Sequence, residues 1–487
     1  MLRVPIGKGA DAEAYEYAGL VMKNYKTVPT QMPILVRIAL LMSEGRELRL
    51  ITGFSLCGFF IFQGEKTMYI GGLTPKQLKE QFSTPLYIFD ESKIRNQCQK
   101  FRDSFYHPMM KTQVIYASKA FLTIAMAKLI NEEGFYLDCV SSGEVFTVIK
   151  AGVPASKIVL HGNNKTIDEL KDALQIGIGT IVVDNEKEAK DLISLVSERH
   201  QVNVFLRVNP GIDAHTHEYI KTSTHDSKFG MSIHDPRTFE TLKLLSSTKY
   251  IHLLGTHSHI GSQILESQSF YEHAETIMKF YQEVLEKTQI SMHEVNLGGG
   301  FGIKYLPNDY ELDLSVTLPT MLEKLYKESK RLKLDIKKVY IEPGRSIIGE
   351  AGYTLYTINQ IKTTINQKNY IFIDGAMNDH MRTALYQAKY DAIICGKEDQ
   401  LQTKTYTIAG KACESGDIII HSIQLPEAEE NDLLLVKSTG AYHYSMASHY
   451  NRLNVPPVVF VKDGKARYVV KKESLMDLIS HDVRGDQ

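Results

Sequence analysis

The 487-residue chain lacks any charge imbalance: 56 Lys and Arg stand against 57 Asp and Glu, for a formal net charge of -1. That removes the electrostatic footprint expected of a nucleic-acid-binding or anionic-membrane-binding surface. Cysteine is scarce. The five residues, Cys57, Cys98, Cys139, Cys395 and Cys413, are odd in number, and no two sit at metal-ligand spacing. The pattern argues against a disulfide framework or a zinc site, so no metal is expected, and free thiols suit a reducing cytoplasm. Long apolar runs are missing too. The longest near the N-terminus, Leu50 to Phe62, is broken by Thr52, Gly53, Ser55 and Gly58. It is too short to cross a bilayer and lacks the order of a secretory signal. Tryptophan is absent, which carries no functional message. What remains is a neutral chain, 43% hydrophobic and 23% charged, long enough for two or three domains. Such neutrality suits a small-molecule substrate.

From about residue 110, β-rich runs alternate with segments of helical periodicity. The runs are 113–118, 135–140, 157–162, 180–185, 202–209, 252–259, 293–299 and 338–343. Thr166 with Glu169, and Asn185 with Glu188, have the spacing of capping boxes. Gly134 and Gly152 close helical runs, where glycine takes the left-handed turn at least cost. Eight strand–helix units predict a (β/α)8 barrel; a doubly wound open sheet is the rival. After Gly352 the runs YTLYTI, YIFID, TKTYTIAG, DIIIHS, DLLLVK and PVVFV have little helix between them and predict a mostly antiparallel β-domain. The run 84–90, before the barrel, is a similar strand that joins that sheet. The expected organisation is an extension over 1–60 that fits neither pattern, a joining segment over 61–91, the barrel over 92–345 and the β-domain over 346–487.

In a barrel of this kind chemistry collects at the C-terminal ends of the strands. The unusual polar residues fall there. Lys119 follows the first strand, Asp138 and Ser141 the second, His161 and Asn163 the third. Arg207 and Asn209 end the fifth. His257, His259 and Ser262 follow the sixth, Gly298–Gly300 the seventh, and Glu342, Gly344 and Arg345 the eighth. A desolvated lysine at such a place has a lowered pKa and forms imines with aldehydes, although strand-end lysines commonly just reach solvent. The Gly298–Gly300 run exposes backbone N–H groups and lets a phosphate come close; alone it is equally a tight turn. With Arg345 and the Ser262 hydroxyl it makes a phosphate cup. Glu342 is placed to keep a pyridine nitrogen protonated, as pyridoxal phosphate requires of its surroundings, or else is an acid preceding Pro343. His259 packs on a cofactor ring or is a satisfied core histidine. Cys413, beside Glu414 and Asp417, is a proton donor or inert packing. Tyr442 binds phosphate or fills a core.

The motifs YASKAF, HGNNK, RVNPG, DSKFGM, HSHIGSQ, NLGGGFGIKY, EPGRSIIGEAG, NDHMRTALY, CESGDIII and GAYHYSMASHYN occur in that order. In this the chain resembles the diaminopimelate decarboxylases, of the alanine-racemase-like barrel class that also holds ornithine and arginine decarboxylases. The resemblance runs from about residue 61 to about 480. It implies pyridoxal 5'-phosphate held covalently by Lys119, with His259 on the ring, Asp138 nearby and Glu342 at the pyridine nitrogen. Ser262, Gly298, Gly299, Gly300, Gly344, Arg345 and Tyr442 would surround the phosphate. Arg345, Arg382, Tyr386, Glu414 and Tyr442 would hold substrate, and Cys413 would donate the proton. It further implies a homodimer in which Cys413 and Glu414 reach the partner's site.

A substrate with an amino acid at each end needs a cation for the far carboxylate and an anion for the far amine; Arg382 and Glu414 would supply that pair. Ornithine needs only the anion, and an unpaired arginine would repel its ammonium. The expected reaction is therefore decarboxylation of meso-diaminopimelate to L-lysine, with ornithine, arginine or a carboxylated polyamine as the alternative substrates. Four positions depart from the family pattern: Phe121 for asparagine, Ser223 for glycine, Thr383 for proline and His449 for asparagine.

Overall fold

A computed structural model describes residues 67–212, 227–483 and 485. The expected extension over 1–60, and Ser223, lie outside the described residues. The description concerns the unit Met68–Gln487. All eight strands read from the β-rich runs form. After an initial strand, β1 (Leu86–Asp90), the chain lays down β2 (Lys111–Ala117), β3 (Tyr136–Cys139), β4 (Ile158–Leu160), β5 (Thr180–Val183) and β6 (Val202–Asn209). A two-residue strand, β7 (Met231–Ser232), pairs with the end of β6. Then come β8 (Ile251–His257), β9 (Glu294–Asn296) and β10 (Lys338–Ile341).

Every barrel pairing is parallel, and the ring closes through β10 on β2 and β5 on β6, which rules out the open sheet. Ile115, Val159, Val182, Phe205 and Tyr340 fill its interior. A second apolar cluster lies between strands and helices, so both faces of each strand are buried, as parallel sheets require. The punctuation works as its chemistry dictates. Thr166 and Glu169 form a full capping box, Asn185 accepts from the Glu188 N–H, and Gly134 and Gly152 take φ of 80° and 78°.

The second sheet contains β11 (Gly352–Thr363), β12 (Asn369–Ile373), β13 (Ala392–Ile394), β14 (Lys404–Ala409), β15 (Ile418–Leu425), β16 (Leu433–Lys437), β17 (Val458–Lys462) and β18 (Lys465–Val470). With β1 they make nine strands, mostly antiparallel; β1–β17 and β12–β14 are parallel. The strand preceding the barrel thus sits between β11 and β17. Ahead of it the chain forms a helix, Pro75–Phe82, rather than further strand. Thr74 and Gln77 make a capping box there and Pro75 opens the first turn.

The two sheets meet beside the lysine-bearing turn. Phe121, two residues past Lys119, is fully buried and stacks on Phe89 of β1 at 4.2 Å, with Tyr444 and Phe460 around it. Its backbone carbonyl accepts from the Tyr116 hydroxyl at 2.8 Å, and that of Ala120 from the Tyr442 N–H at 2.8 Å. The family departure at this position is thus an aromatic wedge joining barrel to second sheet. Phe121→Ala should cost about 3–5 kcal/mol, the range for truncating a fully buried phenylalanine. Denaturant unfolding checks it; a loss under about 1 kcal/mol would show that the wedge carries no stability.

Candidate active site

A cavity of about 550 Å³ opens at the C-terminal ends of the barrel strands. The barrel contributes Lys119, Asp138, His161, Arg207, His257, His259, Ser262, Gly299, Gly300, Glu342, Gly344 and Arg345; the second sheet contributes Arg382, Tyr386 and Tyr442. Of the candidate site residues read from the sequence, all line it except Gly298, which sits in the turn beneath it, and Ser141, Asn209, Cys413 and Glu414.

Glu342 is the hub. Its buried carboxylate accepts from Asn296 Nδ2 at 2.7 Å and pairs with His161 Nε2 and His257 Nε2 at 3.0 Å each. Burial pushes this carboxyl up, but His161 and His257 more than cancel that and hold it well below its ordinary range. Burial lowers His257 to about 4, against the pull of Glu342, so His257 is neutral near pH 7 and donates its Nε2 proton. Asp138 is also buried. Burial raises its pKa, His161 opposes this, and Glu342 adds to it. Its Oδ1 has no partner among the described residues. By type, His161, His257 and Glu342 would suit a metal ion. In this structure both imidazole Nε2 atoms instead lie at hydrogen-bonding distance from the carboxylate itself, 3.0 Å each.

The triple-glycine turn is required sterically by protein, not only by a ligand. A Cβ on Gly299 would lie 2.1 Å from the Glu342 carbonyl oxygen, and one on Gly300 2.6 Å from that of Gly261. Gly298 and Gly300 also take φ of 63° and 109°. The Gly298 and Gly299 N–H groups donate to Asn296 Oδ1 and His259 Nδ1, leaving Gly300 N–H without a protein partner among the described residues. Arg345 is buried. Its Nη2 donates to Ser262 Oγ at 2.9 Å, its Nη1 to the Tyr305 hydroxyl, and the Tyr442 ring lies 4.9 Å away. Arg345 Nε has no partner among the described residues. A fixed cation with an unused donor, a hydroxyl and a free backbone N–H fit a phosphate, and a carboxylate hub fits a protonated ring nitrogen. Pyridoxal phosphate therefore fits the residues present.

Lys119 differs from expectation. β2 ends at Ala117 and the chain turns through a short 3-10 segment, Ser118–Ala120. This lifts the side chain into the open cavity, where it is exposed rather than desolvated. His259 is kept neutral, first by burial and then by the Lys119 charge.

Cys413 and Glu414 are exposed and do not line this chain's cavity. Their loop is nevertheless built. Asp417 is buried and accepts from the N–H groups of Met377 and Ala412 at 2.7 Å each. Cys413 N–H donates to Asn451 Oδ1 at 2.7 Å, and Tyr450 donates to Glu414 Oε2 at 3.1 Å. The Gly416 N–H and the Tyr450 hydroxyl hold the Glu414 carboxyl below its ordinary range.

His161, His257 and Arg207 were visible as strand-end polar residues but had no role assigned, and Asn296 was passed over at the head of the glycine motif. Their common position at four strand ends was the available signal. Two departures have structural reasons. Thr383 Oγ1 donates to the Ile419 carbonyl at 2.7 Å, a tie proline could not make. His449 Nε2 pairs with Glu473 at 3.0 Å on the surface.

The profile of "Pyridoxal-dependent decarboxylase, pyridoxal binding domain" matches residues 91–349, more than half of the chain. Barrel, lysine and carboxylate hub thus define a pyridoxal-dependent decarboxylase. The chain is 45% identical over 415 residues to diaminopimelate decarboxylase of Bacillus subtilis (strain 168), covering 85% of this chain and 94% of that one. It is 43% identical over 422 residues to that of Staphylococcus aureus (strain COL), covering 86% and 98%. The crystal structure of diaminopimelate decarboxylase from M. jannaschii in co-complex with L-lysine superposes with a TM-score of 0.80 at 30% identity, covering 86% of this chain and 97% of that chain. The chain belongs to the diaminopimelate decarboxylase family.

The buried imidazoles make stability acid-sensitive. An unfolded histidine protonates near 6.5, whereas folded His257 resists until about 4. In that window the unfolded chain binds more protons, so this contribution is full above pH 6.5 and is lost as pH falls to about 4. For His257 it is on the order of 3 kcal/mol. Asp138, whose pKa is raised, acts in the opposite direction, so the comparison to make is with His257→Asn. Unfolding midpoints measured from pH 7 to 4.5 should fall more steeply for the parent than for the variant; parallel curves would refute the assignment.

Proposed function

We propose that the protein decarboxylates meso-diaminopimelate to L-lysine and CO2, with pyridoxal phosphate held by Lys119. The observation that carries this reading is one cavity lined at once by Lys119, Glu342 and two arginines, Arg345 and Arg382. Cofactor binding is assigned to the barrel, 92–345, and part of substrate recognition to the β-domain, 346–487. The bound cofactor supplies an electron sink for the pair left when CO2 departs. Glu342, anionic, would hold a proton on the ring nitrogen. His259, neutral and fixed by Gly299, would pack against the ring, and Asp138 would take a donor from the cofactor's edge. Ser262, the Gly298–Gly300 turn, Gly344, Arg345 and Tyr442 would bind the phosphate.

Arg382 and Tyr386 would take the distal carboxylate, with Arg345 and Tyr442 bordering the substrate. The distal ammonium needs an anion. Among the cavity's acids, Glu342 is committed to its imidazoles and Asp138 lies buried in the barrel. Glu414, exposed on a loop with an ordered base, meets that need if a second copy of the chain presents it. Cys413, beside it, would return the proton to the α-carbon. We therefore read the active unit as a homodimer with shared sites. Ornithine as substrate is disfavoured by Arg382, whose charge would oppose an ammonium. The described cysteines are unpaired, which supports a cytoplasmic setting; no described helix is long and apolar enough to cross a membrane.

Protein supplied with pyridoxal phosphate should release CO2 from meso-diaminopimelate and form lysine. Activity on ornithine with none on diaminopimelate would reject the reading. Lys119→Ala and Glu414→Ala should each abolish turnover. Mixing the two variants should restore about a quarter of the parent activity, because one site of each mixed dimer is intact. No recovery on mixing would reject the shared site.

A further inference from the structure

Arg382 enters the cavity from a short helical turn, Arg382–Tyr386, of the second sheet. It is buried, and its guanidinium lies 5.0 Å from the Tyr386 ring centroid and 5.4 Å from that of Tyr442. Its Nε donates to the Tyr390 hydroxyl at 3.0 Å. Neither Nη has a protein partner among the described residues, so the two-nitrogen edge remains available on the cavity side. That edge matches a carboxylate in bidentate fashion only if the plane of the fork is fixed.

Tyr390 lies behind the wall, 3% exposed, and does not line the cavity. Its ring meets Tyr305 edge-on at 5.2 Å, and Tyr305 accepts from Arg345 Nη1. The two tyrosines thus link the two arginines from behind. The His380 and His443 rings back Tyr390 at 4.6 and 5.1 Å, and burial keeps both imidazoles uncharged, so neither adds a cation beside Arg382.

We infer that Tyr390 is a positioning residue that fixes the Arg382 fork for the substrate's distal carboxylate, and so contributes to preference for a substrate with two carboxylates. This rests on the diaminopimelate reading above. An arginine held only by stacking on Tyr386 and Tyr442 keeps a free rotation that the Nε anchor removes. Losing the anchor weakens ground-state and transition-state binding alike, and so raises KM with little change in kcat.

The test uses holoenzyme and meso-diaminopimelate, with Tyr390→Phe, Arg382→Lys and the double variant. Tyr390→Phe deletes one oxygen and leaves the ring packing in place; an unchanged cofactor absorbance band and melting temperature certify its fold. It should raise KM about tenfold and leave kcat within about twofold, the low end for a hydrogen bond to a charged group. In the Arg382→Lys background, which has no Nε, adding Tyr390→Phe should change KM by less than about twofold. A KM unchanged in Tyr390→Phe, or a full tenfold effect persisting in the Arg382→Lys background, would overturn the inference. A parent enzyme that does not turn over diaminopimelate would instead overturn the functional reading on which it rests.

Discussion

A carboxylate buried at the mouth of a parallel barrel is the constraint that organises this protein. Isolated, Glu342 would be costly to ionise; ringed by Asn296, His161 and His257 it is stable as an anion. The partners come from β8, β9 and the turn after β4, while Glu342 itself directly follows β10. The charge is therefore satisfied only when distant segments of the chain have come together. The same closure forces the Gly299 backbone onto the Glu342 carbonyl, which is why no side chain fits there. The hub proposed to serve the cofactor and the geometry that closes the barrel are one arrangement.

The fold was largely legible because its signals are local. Eight β-rich runs between capped helices leave few arrangements once parallel pairing is required, and strand-end placement exposed most of the cavity wall. What escaped was non-local. Nothing near His161, His257 or Asn296 in the chain says that they share one acceptor; the ring creates that meeting. The exposure of Lys119 was missed because the 3-10 turn after β2 lifts it off the strand. β13 and β18 are short or half-exposed and gave no periodic signal. Pro75–Phe82 is hard to read because it is only eight residues long and buries just Pro75, Leu78 and Phe82, too few to show a periodic stripe.

The loop bearing Cys413 and Glu414 shows how an exposed segment can still be well defined. Its order derives from inside, where Asp417 gathers two backbone N–H groups, while the reactive side chains face outward. On the dimer reading proposed above, the cavity and the loop would carry complementary halves of one chemistry.

The aromatic wedge at Phe121 has a consequence for how this architecture can diversify. Because the residue two places beyond Lys119 is seated between Phe89 and Phe460, the turn that bears Lys119 is braced by the second sheet as well as by the barrel. A recombination event that grafted a foreign β-domain onto this barrel would have to bring matching aromatic sockets, or the turn bearing Lys119 would lose that support. In this chain the two parts are matched to each other at that contact, so a substitution there would reach both at once.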